Sequence, residues 1–303
     1  MTTENLQVGF IGLGAMGMGM AKSLLRAGLV VKGYDINPNA VAQFVAAGGQ
    51  GAATVADAAS GADVLIVVVL NADQVTDVLF GKGAAAAALT PGSVVMVCST
   101  VSPTFAQQTA AKLAERGLLM LDTPISGGTV RAAEGTLSIM VSGPEATIAK
   151  AQPVLEAMAA NIYRMGTEPG LGSTMKLVNQ ILAGSQIALA AEAMAFGVRA
   201  GLDPHQIYEV ICNSAGNSFM FQNRVPHMLN DDYTPHSAVD IWVKDLGIVL
   251  ETGKELRFPL FFSALAHQLF MSASAAGHGR LDDAAVVKVF EQLTGIAVSG
   301  KSA

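Results

Sequence analysis

Five short runs, LQVGFIGL, VVKGYD, DVLIVVVL, SVVMVCST and LLMLDTPI, alternate through the first half of the chain with segments of helical periodicity. Most of these runs are apolar almost without a break, the pattern of strands covered on both sheet faces. The intervening segments AMGMGMAKSLLRAG, PNAVAQFVAAG, NADQVTDVLFGKG and SPTFAQQTAAKLAERG open at turn or cap signals, and most close at Gly. Strand–helix alternation of this kind predicts a doubly wound, mainly parallel sheet, since parallel neighbours need a crossover that covers the faces. TLSIMVSG and NIYRMG read as two further strands at the sheet edge. From about residue 167 the strand signal is lost. Residues 173–201 contain no proline and can run as one helix, and helical patterns follow at PHQIYEVICNS, NRVPHMLN, VDIWVKDLGIVLETGKEL, PLFFSALAHQLFMSASAAG and DDAAVVKVFEQLTG. The chain therefore reads as α/β. A Rossmann-type doubly wound domain spans residues 1–166, and an all-helical domain spans 167–303, joined to it by the long helix.

That helix is apolar around most of its circumference and must be buried on several sides. One domain of this size gives too little cover, which predicts a homodimer or homotetramer. Gln186 and Glu192 interrupt the apolar stretch, so a membrane span is not expected. A net charge of -6 with no Lys/Arg run offers no footprint for nucleic acid. Cys98 and Cys212 stand far apart beside apolar neighbours and read as small core residues, not a disulfide or a nucleophile. The N-terminus MTTENLQVGF has an acid where an export signal carries positive charge. A cytoplasmic protein is the expectation.

VGFIGLGAMGMGMAKSLLRAG runs a strand into Gly12-Leu13-Gly14-Ala15-Met16-Gly17 and then a helix. Gly12 permits the tight turn, Gly14 lets backbone approach a pyrophosphate, and Gly17 lets helix and strand pack closely. The phosphate meets the open N–H groups of the helix N-terminus. GxGxxG alone is a weak signal, but here it forms the first βα turn of the chain. The second strand ends at Asp35, about 20 residues on, where an acid accepts the ribose hydroxyls of NAD. The plainer alternative is that Asp35 only caps the helix beginning near Pro38. A carboxylate there repels a 2′-phosphate and no arginine follows, so NAD is expected over NADP. Leu70 and Asn71 should line the far side of the cofactor cleft, with Ser99 and Thr100 at the same edge of the sheet.

Ser126-Gly127-Gly128, after LLMLDTPI, offers a hydroxyl and successive unencumbered N–H groups suited to a carboxylate. Taken alone this tripeptide is equally a flexible turn, but ligands in such sheets bind outside the strands' carboxyl ends. Lys176, Asn179 and Gln180 stand at i, i+3 and i+4 and share one helix face. A solvated first turn is the alternative. Lysine suits the chemistry, because desolvation and a positive nicotinamide ring both favour its neutral amine. That amine can take the proton of a hydroxyl whose carbon loses hydride, and the ammonium can return it.

GFIGLGAMGMGMAKSLLRAG, DTPISGGTVRAAEGTL, GLGSTMKLVNQ and VKDLG occur in an order that resembles the β-hydroxyacid dehydrogenase family, the 3-hydroxyisobutyrate dehydrogenase-like group, over essentially the full length. The resemblance implies that Ser126, Gly127 and Gly128 hold the substrate carboxylate and that Lys176 is the proton donor and acceptor. It also implies that Gln180 orients substrate and that Lys244 lies by the cofactor. Many members carry two asparagines where this chain has Asn179-Gln180, and imine-reducing relatives lack the lysine. The stretch SAGNSFMFQNRVPHMLNDDYTPHSAVDIWVKDLG resembles the sugar-acid branch. Asn217, Ser218 and Asn223 could then satisfy extra hydroxyls of a four-carbon acid, against the plainer reading of loop and helix capping. The implied activity is NAD-dependent oxidation of L-threonate at its 2-hydroxyl. The alternatives are reduction of 2-hydroxy-3-oxopropanoate, oxidation of 3-hydroxyisobutyrate, or, more remotely, a dinucleotide-binding protein that does not catalyse. The histidines at 205, 227, 236, 267 and 278 lack metal-ligand spacing, and no metal is expected.

Overall fold

A computed structural model describes residues 6–299, and the chain divides into two compact units, Met1–Lys176 and Leu177–Ala303. The first five residues, read above against an export signal, lie outside the described part.

In the first unit, β1 (Gln7–Ile11), β2 (Val30–Tyr34), β3 (Gln50–Gly51), β4 (Val64–Val67), β5 (Val94–Val97) and β6 (Leu119–Asp122) pair in parallel in the order β3-β2-β1-β4-β5-β6. Between them run α1 (Gly17–Arg26), α2 (Pro38–Ala46), α3 (Val55–Ala59), α4 (Ala72–Phe80), α5 (Ala85–Ala88) and α6 (Pro103–Ala114). The strand alternation explains the unbroken apolar runs. Val64, Ile66, Val94 and Met96 face one core with Phe10, Met20 and Leu24. Leu65, Val67, Val95 and Val97 face the other with Val75, Leu79 and Leu113. Both faces are covered, so both sets are apolar.

The structure corrects the expected sheet edge in two places. LLMLDTPI is not one strand: β6 stops at Asp122, and a separate β7 (Ile125–Ser126) pairs antiparallel to β8 (Leu137–Ser142). Pro124 lies in the break and has no N–H to donate to a ladder, although its carbonyl accepts from Met140 N–H. TLSIMVSG is interior, with β6 and β7 on one side of β8 and β9 (Ala159–Gly166) on the other. Almost every residue of β8 is buried, which an edge would not allow. β9 is the edge and lies parallel to β8 because α8 (Glu145–Met158) makes the crossover. A short helix, α7 (Gly128–Glu134), follows β7.

The proline-free stretch folds as α9 (Leu171–Arg199), whose first two turns belong to the first unit. The second unit continues with α10 (Pro204–Cys212), α11 (Phe219–Asn230), α12 (Val239–Glu255), α13 (Phe261–Ala273), a π turn at Ser274–His278, a 3-10 turn at Asp283–Val286 and α14 (Val287–Thr294). Ile187, Met194, Trp242, Phe270 and Val286 form its core. Gly184 lets α9 meet the Trp242 ring, where a Cβ would lie 2.8 Å from the indole. α9 is long and apolar enough to cross a bilayer, but half of its most apolar stretch is buried within the protein, as in a core helix. Its residues Val178, Leu182, Leu189 and Phe196 remain exposed, as do Phe261, Phe262 and Leu265 of α13.

Candidate active site

The strand order reverses between β1 and β4, so the loops after these strands flank the crevice where such sheets take ligands. Gly12 turns the chain at φ +97°, and a side chain there would collide with the Val68 carbonyl in the opposite loop. A side chain on Gly17 would collide with the Gly12 carbonyl. Gly14 differs: a Cβ there would meet nothing within 4 Å. The turn is thus packed tightly behind and open in front, the shape a pyrophosphate needs. α1 has no side-chain cap, so its first-turn N–H groups are not claimed by one.

Asp35 lies against this turn. Leu13 N–H donates to Asp35 Oδ2 at 2.7 Å, and Asn37 N–H donates to Oδ1 at 2.7 Å. The capping alternative belongs to its neighbour: Asn37 is the N-cap of α2, its side chain accepting from Asn39 N–H. Across the crevice Leu70 is half exposed, while Asn71 caps α4 by accepting from Gln74 N–H at 2.9 Å. Ser99 Oγ accepts from Val69 N–H at 3.0 Å and ties the loops after β4 and β5 together, just before Thr100. Next to them, Cys98 is buried 3.3 Å from Thr123 Oγ1, and burial pushes its thiol up to about 12. It is no nucleophile.

The first unit also holds the tripeptide and the lysine. Ser126 ends β7, and Gly127 and Gly128 follow at φ +133° and +72°, angles that residues with a side chain rarely adopt. Lys176, in the second turn of α9, is 9% exposed. Ser173 before it and Gln180 after it are buried too, so this polar face is not a solvated first turn.

In the second unit Asn179 Nδ2 donates to Gln180 Oε1 at 2.9 Å, and Gln180 Nε2 donates to Asp245 Oδ2 at 2.5 Å. Lys244 Nζ lies 2.6 Å from Asp245 Oδ1. A buried carboxylate thus links the amide pair to the lysine of VKDLG. The sequence reading missed Asp245, although it stands beside Lys244 inside a motif already singled out. The other polar residues are engaged locally. Ser218 Oγ caps α11 through Phe221 N–H at 3.0 Å, Asn223 Oδ1 accepts from Arg224, and Asn217 Nδ2 donates to the Cys212 carbonyl at 2.9 Å. Asn217 Oδ1 is buried with no partner and keeps an acceptor to offer.

A glycine turn open to a pyrophosphate at the switch point of a doubly wound sheet, an acid against it and a buried lysine beyond define a dinucleotide-dependent dehydrogenase. Residues 7–166 match the NAD binding domain of 6-phosphogluconate dehydrogenase, and residues 170–290 match the NAD-binding domain of NADP-dependent 3-hydroxyisobutyrate dehydrogenase. The chain belongs to the 3-hydroxyisobutyrate dehydrogenase family of β-hydroxyacid dehydrogenases. It is 54% identical to L-threonate dehydrogenase of Cupriavidus necator, over 97% of this chain and 98% of that one. It is 50% identical to L-threonate dehydrogenase of Escherichia coli, over 97% of each chain. The crystal structure of 3-hydroxyisobutyrate dehydrogenase from Salmonella typhimurium is similar with a TM-score of 0.89 and 50% identity, covering 94% of this chain and all of that one. The protein is accordingly an NAD-dependent hydroxyacid dehydrogenase, an oxidoreductase that acts on the CH–OH group of a small molecule.

Proposed function

We propose that this dehydrogenase oxidises L-threonate at its 2-hydroxyl to the 2-oxo acid, with Lys176 as the proton shuttle. The observation that carries the substrate is full-length similarity, at 46% to 54% identity, to five L-threonate dehydrogenases. Burial of the lysine, in the same compact unit as the glycine turn and Ser126-Gly127-Gly128, supports its role. When bound, NAD⁺ supplies the acceptor for the hydride that leaves the carbinol carbon. The glycine turn brings the pyrophosphate onto the first-turn N–H groups of α1, and Asp35 accepts the ribose hydroxyls. Leu70, Asn71 and Thr100 line the cofactor cleft, and Lys244 serves the cofactor. Ser126, Gly127 and Gly128 donate to the substrate carboxylate. Asn179 and Gln180 orient the hydroxyls, and Asn217 and Ser218 serve the far end of the acid. The neutral amine of Lys176 takes the hydroxyl proton as the C–H bond breaks, leaving a carbonyl. In reverse its ammonium protonates that carbonyl oxygen.

The Salmonella structure bears the other family name, which favours 3-hydroxyisobutyrate as the second reading. A panel of hydroxy acids with NAD⁺, followed by NADH absorbance, separates the two. L-Threonate should exceed 3-hydroxyisobutyrate in kcat/KM by ~10-fold or more, the scale set by a hydroxyl that finds its partner. Equal or better turnover of 3-hydroxyisobutyrate would reverse the assignment. NADP⁺ should be poorer than NAD⁺ by about tenfold or more, because Asp35 repels the 2′-phosphate.

The exposed apolar residues of α9 and α13 support a homodimer or homotetramer, and the two free thiols fit a cytoplasmic setting. Light scattering should give a mass of two or four chains, and Leu189→Glu with Phe262→Glu should lower it. A wild-type monomer would refute the assembly.

A further inference from the structure

We propose that Asp122 is a positioning residue: it fixes the first turn of α9, and through that turn Lys176, against the strands that carry Ser126-Gly127-Gly128. Asp122 ends β6 and is 0% exposed. A carboxylate so placed is costly unless its lone pairs are met by donors. Four donors meet it, all from the first unit. Oδ2 accepts from Gly170 N–H at 2.9 Å, Ser173 N–H at 2.7 Å and Ser142 Oγ at 3.3 Å. Oδ1 accepts from Ser173 Oγ at 2.7 Å. Three of these donors come from the start of α9, so a distant strand supplies the cap and the negative charge that a helix start otherwise lacks.

The surroundings make the dock rigid. Gly172 N–H donates to Ser142 Oγ at 2.9 Å, so β8 holds the same turn from the other side. A side chain on Gly172 would collide with the Met140 carbonyl, which means helix backbone lies directly on the strands. Lys176 follows Ser173 by one turn on the same face. β7, ending at Ser126, is paired to β8, and β8 is paired to β6 at Asp122↔Ser142. One hydrogen-bonded block therefore carries both the carboxylate-binding tripeptide and the helical turn below the lysine. Burial pushes the Asp122 carboxyl above the ordinary carboxylate range, and the hydrogen bonds from Ser173, Gly170 and Ser142 offset part of that rise.

This inference rests on the reading of Lys176 as the proton shuttle, and the test keeps the two apart. Asp122→Asn retains the shape but turns an amide N–H toward backbone donors. Ser173→Ala removes only the hydroxyl donor and is the milder variant should the first fail to fold. Each is made in the wild type and in Lys176→Ala, and kcat is measured with NAD⁺ and the fastest acid of the panel. In the wild type, kcat should fall ~10- to 100-fold for Asp122→Asn and several-fold for Ser173→Ala, with KM for NAD⁺ within about twofold, the scale of a sub-ångström to 1 Å misplacement. In the Lys176→Ala background the same changes should alter the residual rate less than about twofold, since the displaced group is gone. Equal losses in both backgrounds, or no loss in the wild type, would overturn the proposal. Amide hydrogen exchange across residues 168–178 reads the anchoring without activity: it should quicken in both variants, and unchanged protection would also overturn the proposal. A silent Lys176→Ala would instead end the lysine reading, and the exchange result alone would then decide whether Asp122 holds the helix.

Discussion

Lys176→Ala should lower turnover at least ~10²-fold while NAD⁺ affinity stays within a few-fold, the usual scale for loss of a general acid–base group. The asymmetry follows from where the parts are carried. The cofactor turn, from Gly12 to Gly17, is packed against Phe10 of β1 and the loop after β4. The lysine is buried on α9, and on the proposed mechanism truncation removes the proton carrier from a site that water enters poorly. Lys176→Arg should not restore activity, because a guanidinium keeps its proton throughout the working range of pH. Stopped-flow turnover and fluorescence titration with NADH measure the two effects separately. A turnover loss matched by an equal loss of cofactor affinity would assign Lys176 to binding, and unchanged turnover would remove it from the mechanism.

Arg224→Leu should destabilise the second unit by about 3–5 kcal/mol, the scale for stripping one partner from a buried ion pair. Asp283 is fully buried, with its side chain accepting from Arg224 Nε at 2.5 Å and from Trp242 Nε1 at 2.7 Å. The pair joins α11 and α12 to the 3-10 turn before α14. Burial pushes the Asp283 carboxyl up, and Arg224 is the chief influence opposing it. Without Arg224 the carboxyl rises further. A folded-state pKa above the unfolded value makes stability fall as pH rises through that interval. The deficit of the variant should therefore be larger at neutral pH than at mildly acid pH. Arg224→Leu combined with Asp283→Leu should recover much of the loss, since the uncompensated charge is then absent. Urea denaturation followed by tryptophan fluorescence reports directly, because Trp242 sits in the network. A single-variant loss below about 1 kcal/mol, the surface-pair scale, would show that the pair contributes little.

The doubly wound sheet, the glycine turn, the acid after the second strand and the polar face of the long helix were all legible as a string of letters. Each is written within a few residues: unbroken apolar runs between helical segments, a glycine forced by a positive φ, or polar groups spaced by one helical turn. The resemblance to β-hydroxyacid dehydrogenases rested on the same short motifs and carried the class of reaction with it. Local pattern misled only where a neighbour intervened. TLSIMVSG looks like any strand, but whether it is an edge depends on which strands lie beside it, and Pro124 broke a run whose hydropathy alone is continuous.

The roles of the buried carboxylates needed the folded chain. Asp122 meets donors 48 and 51 residues away, and Asp245 meets Gln180 across 65. Nothing near either aspartate in sequence announces these partners, since a carboxylate accepts from any donor that topology brings to it. Periodicity and turn chemistry act over a few bonds and survive in a bare sequence. The pairing of buried charge is a long-range accident of topology, and only the tertiary structure decides it.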